Sequence, residues 1–287
     1  MAIRAGFIGL GNIGKPMAER LTRGGFETVV FDIREEARQQ LSAAGARAAA
    51  SIAEVAANAE VIGICVRDDE DVRAVIVGAD GLLAHARAGL LIALHSTILP
   101  STVKQVADVA AKQGVGVIDA PMTGAATGAE SGTLTYMVGG DAALVERCRP
   151  LLLTSAAKIV HCGALGSGMV AKLCNNLIGY LSFLATFEAT LLAREAGLPL
   201  DALLEVVRPN HYMNDTMLSF ARFREMIETQ PEQAALQERA RSFSTLAEKD
   251  LAVTLAFARE LGITLPGAAL CQQLMARVYG VRDDKRR

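Results

Sequence analysis

The amino-acid sequence predicts an α/β domain with a doubly wound, mostly parallel sheet, followed by an all-helical domain. In the first half of the 287 residues, short apolar and β-branched runs alternate with helical patterns, as in a parallel sheet covered by helices on both faces. After Gly163 the strand patterns stop and helical periodicity continues to the end. We therefore predict domains at residues 1–163 and 164–287, joined by a long helix.

Seven apolar runs are predicted to be strands, because their near-continuous hydrophobicity suits burial on both faces of a sheet. Five form the alternating pattern and two extend the sheet. In chain order they are Ile3–Ile8, Thr28–Phe31, Val61–Val66, Leu90–Leu94, Val115–Asp119, Leu134–Val138 and Lys158–Val160. Between them the sequence predicts helices that include Pro16–Arg23, Arg34–Ala43 and Ser101–Gln113.

The second half is predicted to be helical, with Gly and Pro marking the ends of helices. The predicted helices are Met169–Ala196, Leu200–Val207, Thr216–Ile227, Leu246–Glu260 and Gly267–Val278. The stretch Glu228–Arg241 is compatible with either a loop or a surface helix. The most apolar window, Met169–Ala193, contains Lys172 and Glu188. We therefore interpret it as a helix buried inside the protein and not as a membrane span.

Composition narrows the classes of function. The formal net charge of −2 gives no reason to expect a nucleic-acid or membrane partner. Five cysteines without Cys-x-x-Cys spacing suit reduced thiols, so we predict a cytoplasmic protein. The four histidines are scattered, and we predict no metal site. The mixed-charge tail Arg282–Arg287 is interpreted as a frayed terminus.

A glycine motif, Gly9-x-Gly11-x-x-Gly14, follows the first predicted strand and precedes the first helix. Glycines at this spacing let the main chain turn tightly and approach a pyrophosphate, whose charge then lies at the helix N-terminus. The motif alone is a weak signal. Its place at the start of a βαβ series indicates a dinucleotide-binding Rossmann domain.

Asp32, at the end of the second predicted strand, indicates which dinucleotide binds. A carboxylate here can accept hydrogen bonds from both ribose hydroxyls of NAD and would repel the 2′-phosphate of NADP. Arg34, two residues later, could instead hold that phosphate. We favour NAD. A structural role for Asp32, in a turn or as an N-cap, is compatible with either dinucleotide.

Three further segments carry candidate substrate groups. The loop with Thr123 and Gly124 follows a strand and could offer donors to a carboxylate, although a plain polar loop fits equally well. Lys172 and Asn176 follow three glycines and share one helix face. A lysine in so apolar a helix is partly desolvated, which favours proton transfer at neutral pH. The alternative is a snorkelling lysine, whose ammonium group reaches solvent. The Lys249-Asp250 pair alone is typical of a solvated helix face.

Together these motifs resemble the β-hydroxyacid dehydrogenase family, which includes 3-hydroxyisobutyrate dehydrogenase and tartronate semialdehyde reductase. The resemblance runs from Gly6 to about Leu270. It implies a Rossmann domain and a helical domain like the C-terminal domain of 6-phosphogluconate dehydrogenase. It implies that the dinucleotide is bound by Gly9, Leu10, Gly11, Asn12, Ile13, Gly14, Asp32, Ile33, Arg34, Val66, Ser96, Thr97 and Lys249. The implied substrate-binding residues are Thr123, Gly124, Ala125 and Lys249. Lys172 would be the catalytic acid and base, with Asn176 beside it.

The departures from the family pattern concern the substrate. Thr123 stands where the family usually has Ser, and Ala125 stands where Gly is common, so the pocket is expected to be tighter. Residues around His211 and Tyr212 also look unlike the commoner members, and we expect specificity to differ there.

The resemblance implies hydride exchange between NAD(P) and a small β-hydroxy acid such as 3-hydroxyisobutyrate. Because the helix Met169–Ala196 is too hydrophobic all round to border solvent, we also predict that the helical half is buried against a second subunit, in a homodimer or homotetramer. The alternative is an NADPH-dependent reductase of a small aldehyde acid, such as glyoxylate, succinic semialdehyde or tartronate semialdehyde. Imine reduction is disfavoured because members with that activity typically replace the lysine at the position of Lys172. A non-catalytic dinucleotide sensor is disfavoured because both Lys172 and Asn176 are present.

Overall fold

The computed structural model describes residues 3–282, so the tail after Arg282 lies outside the described residues. Nine strands lie within the described range, all in one sheet. They are β1 (Arg4–Ile8), β2 (Glu27–Phe31), β3 (Arg47–Ala48), β4 (Val61–Ile64), β5 (Leu91–Leu94), β6 (Gly116–Asp119), β7 (Met122–Thr123), β8 (Leu134–Gly139) and β9 (Ala156–Gly163).

The sheet follows the order β3-β2-β1-β4-β5-β6-β8-β7, with β9 also paired to β8. Neighbours from β3 to β6 are parallel, whereas β8 runs antiparallel to β6 and β7 and parallel to β9. The strand order therefore runs outward from the adjacent strands β1 and β4, towards β3 on one side and towards β6 on the other. In a sheet of this kind, ligands bind beyond the carboxyl ends of the strands at the point where the order reverses.

Helices cover both faces of this sheet. They are α1 (Gly14–Arg23), α2 (Glu35–Ala43), α3 (Ile52–Asn58), α4 (Asp69–Val77), α5 (Pro100–Ala111), α6 (Ala125–Ser131) and α7 (Ala142–Leu152). One apolar cluster joins Phe7 of β1 to α1, α2 and α7, and the other joins Ile8 to α3, α4 and α5. Adjacent residues of one strand thus pack on opposite faces, which is why the strand sequences are apolar throughout.

The remaining helices are α8 (Ser167–Glu195), α9 (Leu200–Val207), α10 (Asp215–Thr229), α11 (Ala234–Glu260) and α12 (Pro266–Tyr279). Contacts divide the chain into two compact units, residues 1–172 and 173–287, so that α8 begins in the first and continues into the second. In the second unit, an aromatic cluster that includes Phe183, Phe220 and Tyr279 ties α8 to α10 and α12.

The predicted fold class, a mostly parallel α/β domain followed by helices, is confirmed. The two-residue strands β3 and β7 were not predicted, because two residues are too few to show a period. Most of the undecided stretch Glu228–Arg241 is the start of α11, which begins twelve residues before the predicted Leu246.

The prediction that α8 is buried inside the protein is wrong for a single chain. Only 22% of its most apolar window is buried, and the side chains of Ile178 and Leu192 are 68% and 72% exposed. By length and composition alone α8 could also cross a membrane, which is a weak indication when one helix shows it.

Candidate active site

The turn between β1 and α1 can be formed only by glycine at two of its three motif positions. Gly9 has a φ of +93°, and a Cβ atom there would lie 2.2 Å from the carbonyl oxygen of Cys65. At Gly14, a Cβ atom would lie 2.0 Å from the carbonyl oxygen of Gly9. Gly11 differs, because a Cβ atom there would have no protein atom within 4 Å.

This geometry fits a bound pyrophosphate. Gly11 and Asn12 are exposed at the head of α1, which begins at Gly14. The first N–H groups of a helix have no partner within the helix and attract an anion. Open space over Gly11 therefore leaves the main chain accessible to phosphate oxygens, whereas Gly9 and Gly14 shape the turn itself.

Asp32 connects the end of β2 to this turn. Its Oδ2 atom accepts the Leu10 N–H at 2.7 Å, and its Oδ1 atom accepts the Arg34 N–H at 2.8 Å and the Arg34 Nε–H at 3.1 Å. Burial alone would raise the pKa of this 8%-exposed carboxyl, but the hydrogen bonds from Arg34 and Leu10 bring the pKa below its ordinary value. Asp32 is thus an anion at neutral pH. It is not the N-cap of α2, since that position is Arg34.

Arg34 lies over the same turn. Its guanidinium donates to the Leu10 carbonyl at 3.0 Å while its side chain stays 61% exposed, and neighbouring Ile33 is 91% exposed. A cationic group and an apolar group therefore border Asp32 on the solvent side. Asp32 has two oxygens with lone pairs beyond these bonds, so a ribose hydroxyl would share the carboxylate with Arg34.

Three more residues of the predicted dinucleotide site follow β4 and β5. The N–H of Val66 donates to the Ser96 hydroxyl at 2.8 Å, which ties the two loops together. Thr97, the next residue, is half-buried. Because β4 and β5 are adjacent and parallel, both loops lie at the carboxyl edge of the sheet, on the same edge as the Gly9–Gly14 turn.

The predicted substrate loop has an unusual main chain. Thr123 pairs with Thr135 across β7 and β8. Gly124 and Ala125, both exposed, follow with φ values of +124° and +56°. A positive φ is costly for alanine, so the main chain is strained at Ala125.

The start of α8 is held by a buried carboxylate that sequence reasoning missed. Asp119, the last residue of β6, is fully buried, and its oxygens accept the N–H groups of Gly166 and Met169, each at 2.7 Å. Burial raises the pKa of Asp119, while these main-chain donors oppose the rise. In the sequence, Asp119 was notable only as the last residue of the predicted strand Val115–Asp119.

Lys172 lies in the second turn of α8 and is half-buried. Asn176 follows one turn later, also half-buried, so the predicted pair does share a helix face. His95, another candidate acid or base in the first unit, is buried and stacked on Phe7. Burial lowers its pKa to about 4, so His95 is neutral near pH 7.

In the second unit, Asp250 of α11 organises the predicted residues. Its Oδ2 atom accepts hydrogen bonds from Asn176 Nδ2 at 2.8 Å and from the Tyr180 hydroxyl at 3.0 Å, and Lys249 Nζ lies 2.9 Å from Oδ1. Asp250 is 2% exposed, so the interpretation of Lys249-Asp250 as a solvated pair is wrong. Burial and the charge of Asp250 raise the pKa of Tyr180, which therefore remains a proton donor.

Within the described residues, no cluster of three or more His, Cys, Asp or Glu side chains could hold a metal ion.

Comparison with known proteins gives two family matches that together span the chain. Residues 4–163 match the NAD binding domain of 6-phosphogluconate dehydrogenase. Residues 166–286 match the NAD-binding domain of NADP-dependent 3-hydroxyisobutyrate dehydrogenase.

The chain belongs to the β-hydroxyacid dehydrogenase family. It is 35% identical to 3-hydroxyisobutyrate dehydrogenase of Pseudomonas aeruginosa over 94% of this chain and 90% of that protein. It is 40% identical to the NAD-dependent L-serine dehydrogenase of the same organism over 70% of this chain and 68% of that protein. The structure of Mycobacterium tuberculosis 3-hydroxyisobutyrate dehydrogenase with L-serine superposes with a TM-score of 0.81, at 29% identity, covering 96% of this chain and 94% of that one.

This β-hydroxyacid dehydrogenase is therefore an NAD(P)-dependent oxidoreductase acting on hydroxy acids. The structure brings the glycine turn together with Asp32 and Arg34 in its first unit. It brings Asn176 together with Lys249, through Asp250, in its second. The sequence did carry a signal for Asp250, since an acid in a helix with apolar residues at helical spacing can be buried against other side chains. Nothing in the sequence identified which residues it binds.

Proposed function

We propose that this enzyme oxidises acids of the form HOCH2–CH(R)–COO⁻, with a small R group. Two of the relatives with named substrates, 3-hydroxyisobutyrate dehydrogenase and L-serine dehydrogenase, act on acids that share this skeleton, with a methyl or an ammonium group as R. The observation that carries the proposal is Lys172, half-buried on the helix that begins at the buried carboxylate of Asp119.

The proposed chemistry assigns the proton to Lys172. A bound nicotinamide supplies the site that accepts or returns the hydride of the carbinol carbon. In the oxidation, Lys172 Nζ takes the hydroxyl proton as the carbon–oxygen double bond forms. In the reduction, Nζ returns that proton to the nascent alkoxide. Positioned proton transfer of this kind contributes about 10²–10⁴-fold to the rate.

The other proposed roles concern binding. Thr123, Gly124 and Ala125 offer a hydroxyl and main-chain N–H groups for the substrate carboxylate. Asn176, whose amide is oriented by Asp250, would orient the substrate hydroxyl or the lysine. Lys249 would contact substrate or dinucleotide as a cation, with Asp250 holding its Nζ atom in place.

We favour NAD over NADP, and Asp32 supports the preference. A buried carboxylate kept ionised by three hydrogen bonds would repel a 2′-phosphate. Arg34 is the opposing feature, because its exposed guanidinium could pair with that phosphate. The measurement is kcat/KM for both cofactors with one substrate. A clear advantage for NADP would assign Arg34 as the phosphate ligand and overturn the preference.

We also propose that the enzyme is a homo-oligomer in the cytoplasm. The apolar side chains that α8 leaves exposed in a single chain, including Ile178 and Leu192, support burial against a second subunit. Light scattering at micromolar concentration tests this proposal, and a monomer would refute it.

The test of the function is a substrate panel followed by absorbance of the reduced nicotinamide. It contains 3-hydroxyisobutyrate, L-serine and 3-hydroxypropionate, together with the 2-hydroxy acid lactate as a control for the position of the hydroxyl. Glyoxylate, succinic semialdehyde and tartronate semialdehyde test the reductase alternative with NADPH. Turnover of the HOCH2–CH(R)–COO⁻ acids but not lactate is expected, whereas efficient reduction of the aldehyde acids alone would favour the alternative.

A further inference from the structure

A carboxylate that takes no part in the proposed chemistry lies at the start of the helix that carries Lys172. Asp119 is fully buried at the end of β6. Its Oδ1 atom accepts the Gly166 N–H and its Oδ2 atom accepts the Met169 N–H, each at 2.7 Å, and the Gly168 N–H also donates to it. Burying a carboxyl group is costly unless its oxygens accept hydrogen bonds, and these main-chain N–H groups supply them.

The packing around this carboxylate leaves no room for adjustment. A Cβ atom at Gly168 would lie 2.4 Å from the Met137 carbonyl oxygen and 2.8 Å from Asp119 Oδ2. A Cβ atom at Gly139 would lie 2.4 Å from Asp119 Oδ1. The ends of β6 and β8 and the first turn of α8 therefore meet main chain against main chain, with the carboxylate between them.

Asp119 connects the two segments that carry the proposed chemistry within the first unit. Thr123, in the proposed carboxylate-binding loop, follows Asp119 by four residues. Three residues beyond Met169, whose N–H the side chain holds, is Lys172. A shift of the first turn of α8 relative to Asp119 would therefore move the lysine relative to that loop.

We propose that Asp119 is a positioning residue for Lys172: by holding the N–H groups of Gly166 and Met169, it fixes the first turn of α8 and with it the place of the Lys172 ammonium relative to the Thr123 loop. This inference rests on the proposed role of Lys172. Misplacement of a reacting group by about 1 Å costs as much as 100-fold in rate, so the consequence is measurable in kcat.

The experiment is a double-mutant cycle on the full-length enzyme with Asp119→Asn and Lys172→Ala. Asparagine keeps the shape but has one acceptor oxygen, so its amide nitrogen faces a main-chain N–H and at least one of the three hydrogen bonds is lost. We expect Asp119→Asn to lower kcat about 10- to 100-fold, with the substrate KM and the affinity for NADH changed by less than about threefold. In the Lys172→Ala background, the same substitution should leave the residual rate nearly unchanged, because positioning acts only through the lysine.

A second variant perturbs the geometry and keeps the Asp119 side chain. Gly168→Ala forces a methyl group between the helix and the carboxylate and should lower kcat in the same way. Gly179→Ala is the matched control, since it is the same substitution on the same helix and its Cβ atom would meet nothing within 4 Å. Circular dichroism and the thermal midpoint establish that each variant is folded at the assay temperature, and either of the two variants suffices for the test.

The outcomes separate the two proposals. Near-normal kcat in Lys172→Ala overturns the proposed function. A slow Lys172→Ala enzyme together with normal kcat in a folded Asp119→Asn or Gly168→Ala variant overturns only the positioning role. Equal losses from Asp119→Asn with and without Lys172 also overturn it, because they would reveal a general structural defect.

Discussion

Asp32 and Asp119, in the unit formed by residues 1–172, accept mainly main-chain N–H groups, whereas Asp250, in the unit formed by residues 173–287, is held by side chains. The main-chain bonds depend on where a strand ends and a turn or helix begins. The bonds of Asp250 depend instead on which side chains α8 and α11 present to each other. The first arrangement follows from the order of elements along the chain, and the second follows from packing alone.

The two kinds of hydrogen bonding fix different parts of the structure. A carboxylate bonded to main chain fixes the path of the backbone, so replacing it displaces whole segments. A carboxylate bonded to side chains fixes only their orientation, so replacing it leaves the helices in place and frees polar groups in a buried position. The following substitutions test this contrast, beginning with the largest expected effect.

Lys172→Ala tests the residue carried by the backbone-anchored helix. We expect kcat to fall about 10²–10⁴-fold, with NAD affinity nearly unchanged because the dinucleotide is held by the Gly9–Gly14 turn. Lys172→Arg should fail almost as badly, since a guanidinium stays protonated and cannot act as a base near pH 7. Steady-state kinetics and fluorescence titration with NADH are the measurements. A pH–rate profile unaltered in the arginine variant would show that another group carries the proton.

Asp250→Ala tests the side-chain cluster of the second unit. Removing the carboxylate leaves Asn176 and Tyr180 without this acceptor and breaks the ion pair with Lys249. We expect a loss of about 3 kcal/mol in the free energy of unfolding, at the low end for a broken buried pair because Lys249 is 30% exposed. Urea denaturation measures it. Asp201→Ala, at a 77%-exposed carboxylate paired with Arg222, is the control and should change stability by less than about 1 kcal/mol.

Asp32→Asn tests a main-chain-bonded carboxylate and adds a pH dependence. Hydrogen bonds to a charged group contribute about 1.5–3 kcal/mol, so we expect a loss in that range at pH 7. The pKa of Asp32 is lowered in the folded state below its ordinary value of 3.8. Its stabilising contribution is therefore complete above that value and is lost as the pH falls through the folded pKa. The difference between wild type and variant should be full at pH 6 and shrink below pH 3.8, and a difference independent of pH would contradict this.

Gly11→Ala separates the turn's shape from its ligand. A methyl group here meets no protein atom, so the fold should be unaffected. The methyl would occupy the space over which a pyrophosphate approaches, and we expect NAD affinity to fall about tenfold or more. Gly14→Ala is the contrasting variant and should lose stability, because its methyl would meet the Gly9 carbonyl oxygen. Unchanged affinity in Gly11→Ala would place the phosphates elsewhere.

Ala125→Gly has the smallest expected effect. Its φ of +56° lies in the left-handed region, so glycine should stabilise the enzyme by less than about 1 kcal/mol. Ala126→Gly, the next residue of α6 and not among the positive-φ positions, should instead lose about 0.5–1 kcal/mol. Thermal unfolding of the two variants compares them, and a shift of the same sign in both would contradict the assignment of strain to Ala125.

The sequence predicted those parts of the enzyme that depend on order along the chain. The strands, the glycine turn and Asp32 follow from apolar runs and from glycine spacing, and the structure places them within a few residues of prediction. The partner of Asp250 could not be predicted, because Asn176 lies 74 residues away. The partners of Asp119 could not be predicted either, since its bonds run to Gly166 and Met169, 47 and 50 residues later. The exposure of α8 was missed because an apolar helix has the same sequence whether a core or another surface covers it.

The bond from Asp119 to the start of α8 also decides where this enzyme can be cut and rejoined. The two family matches suggest a junction between residues 163 and 166, which would separate Asp119 from Gly166 and Met169, whose N–H groups it accepts. A hybrid joined there keeps Asp119 but takes those N–H groups from a foreign chain. A hybrid joined after Lys172 keeps Asp119, its main-chain donors and the close contact at Gly168 in one segment. Exchange of the helical segment among such enzymes should therefore succeed more often at the later junction.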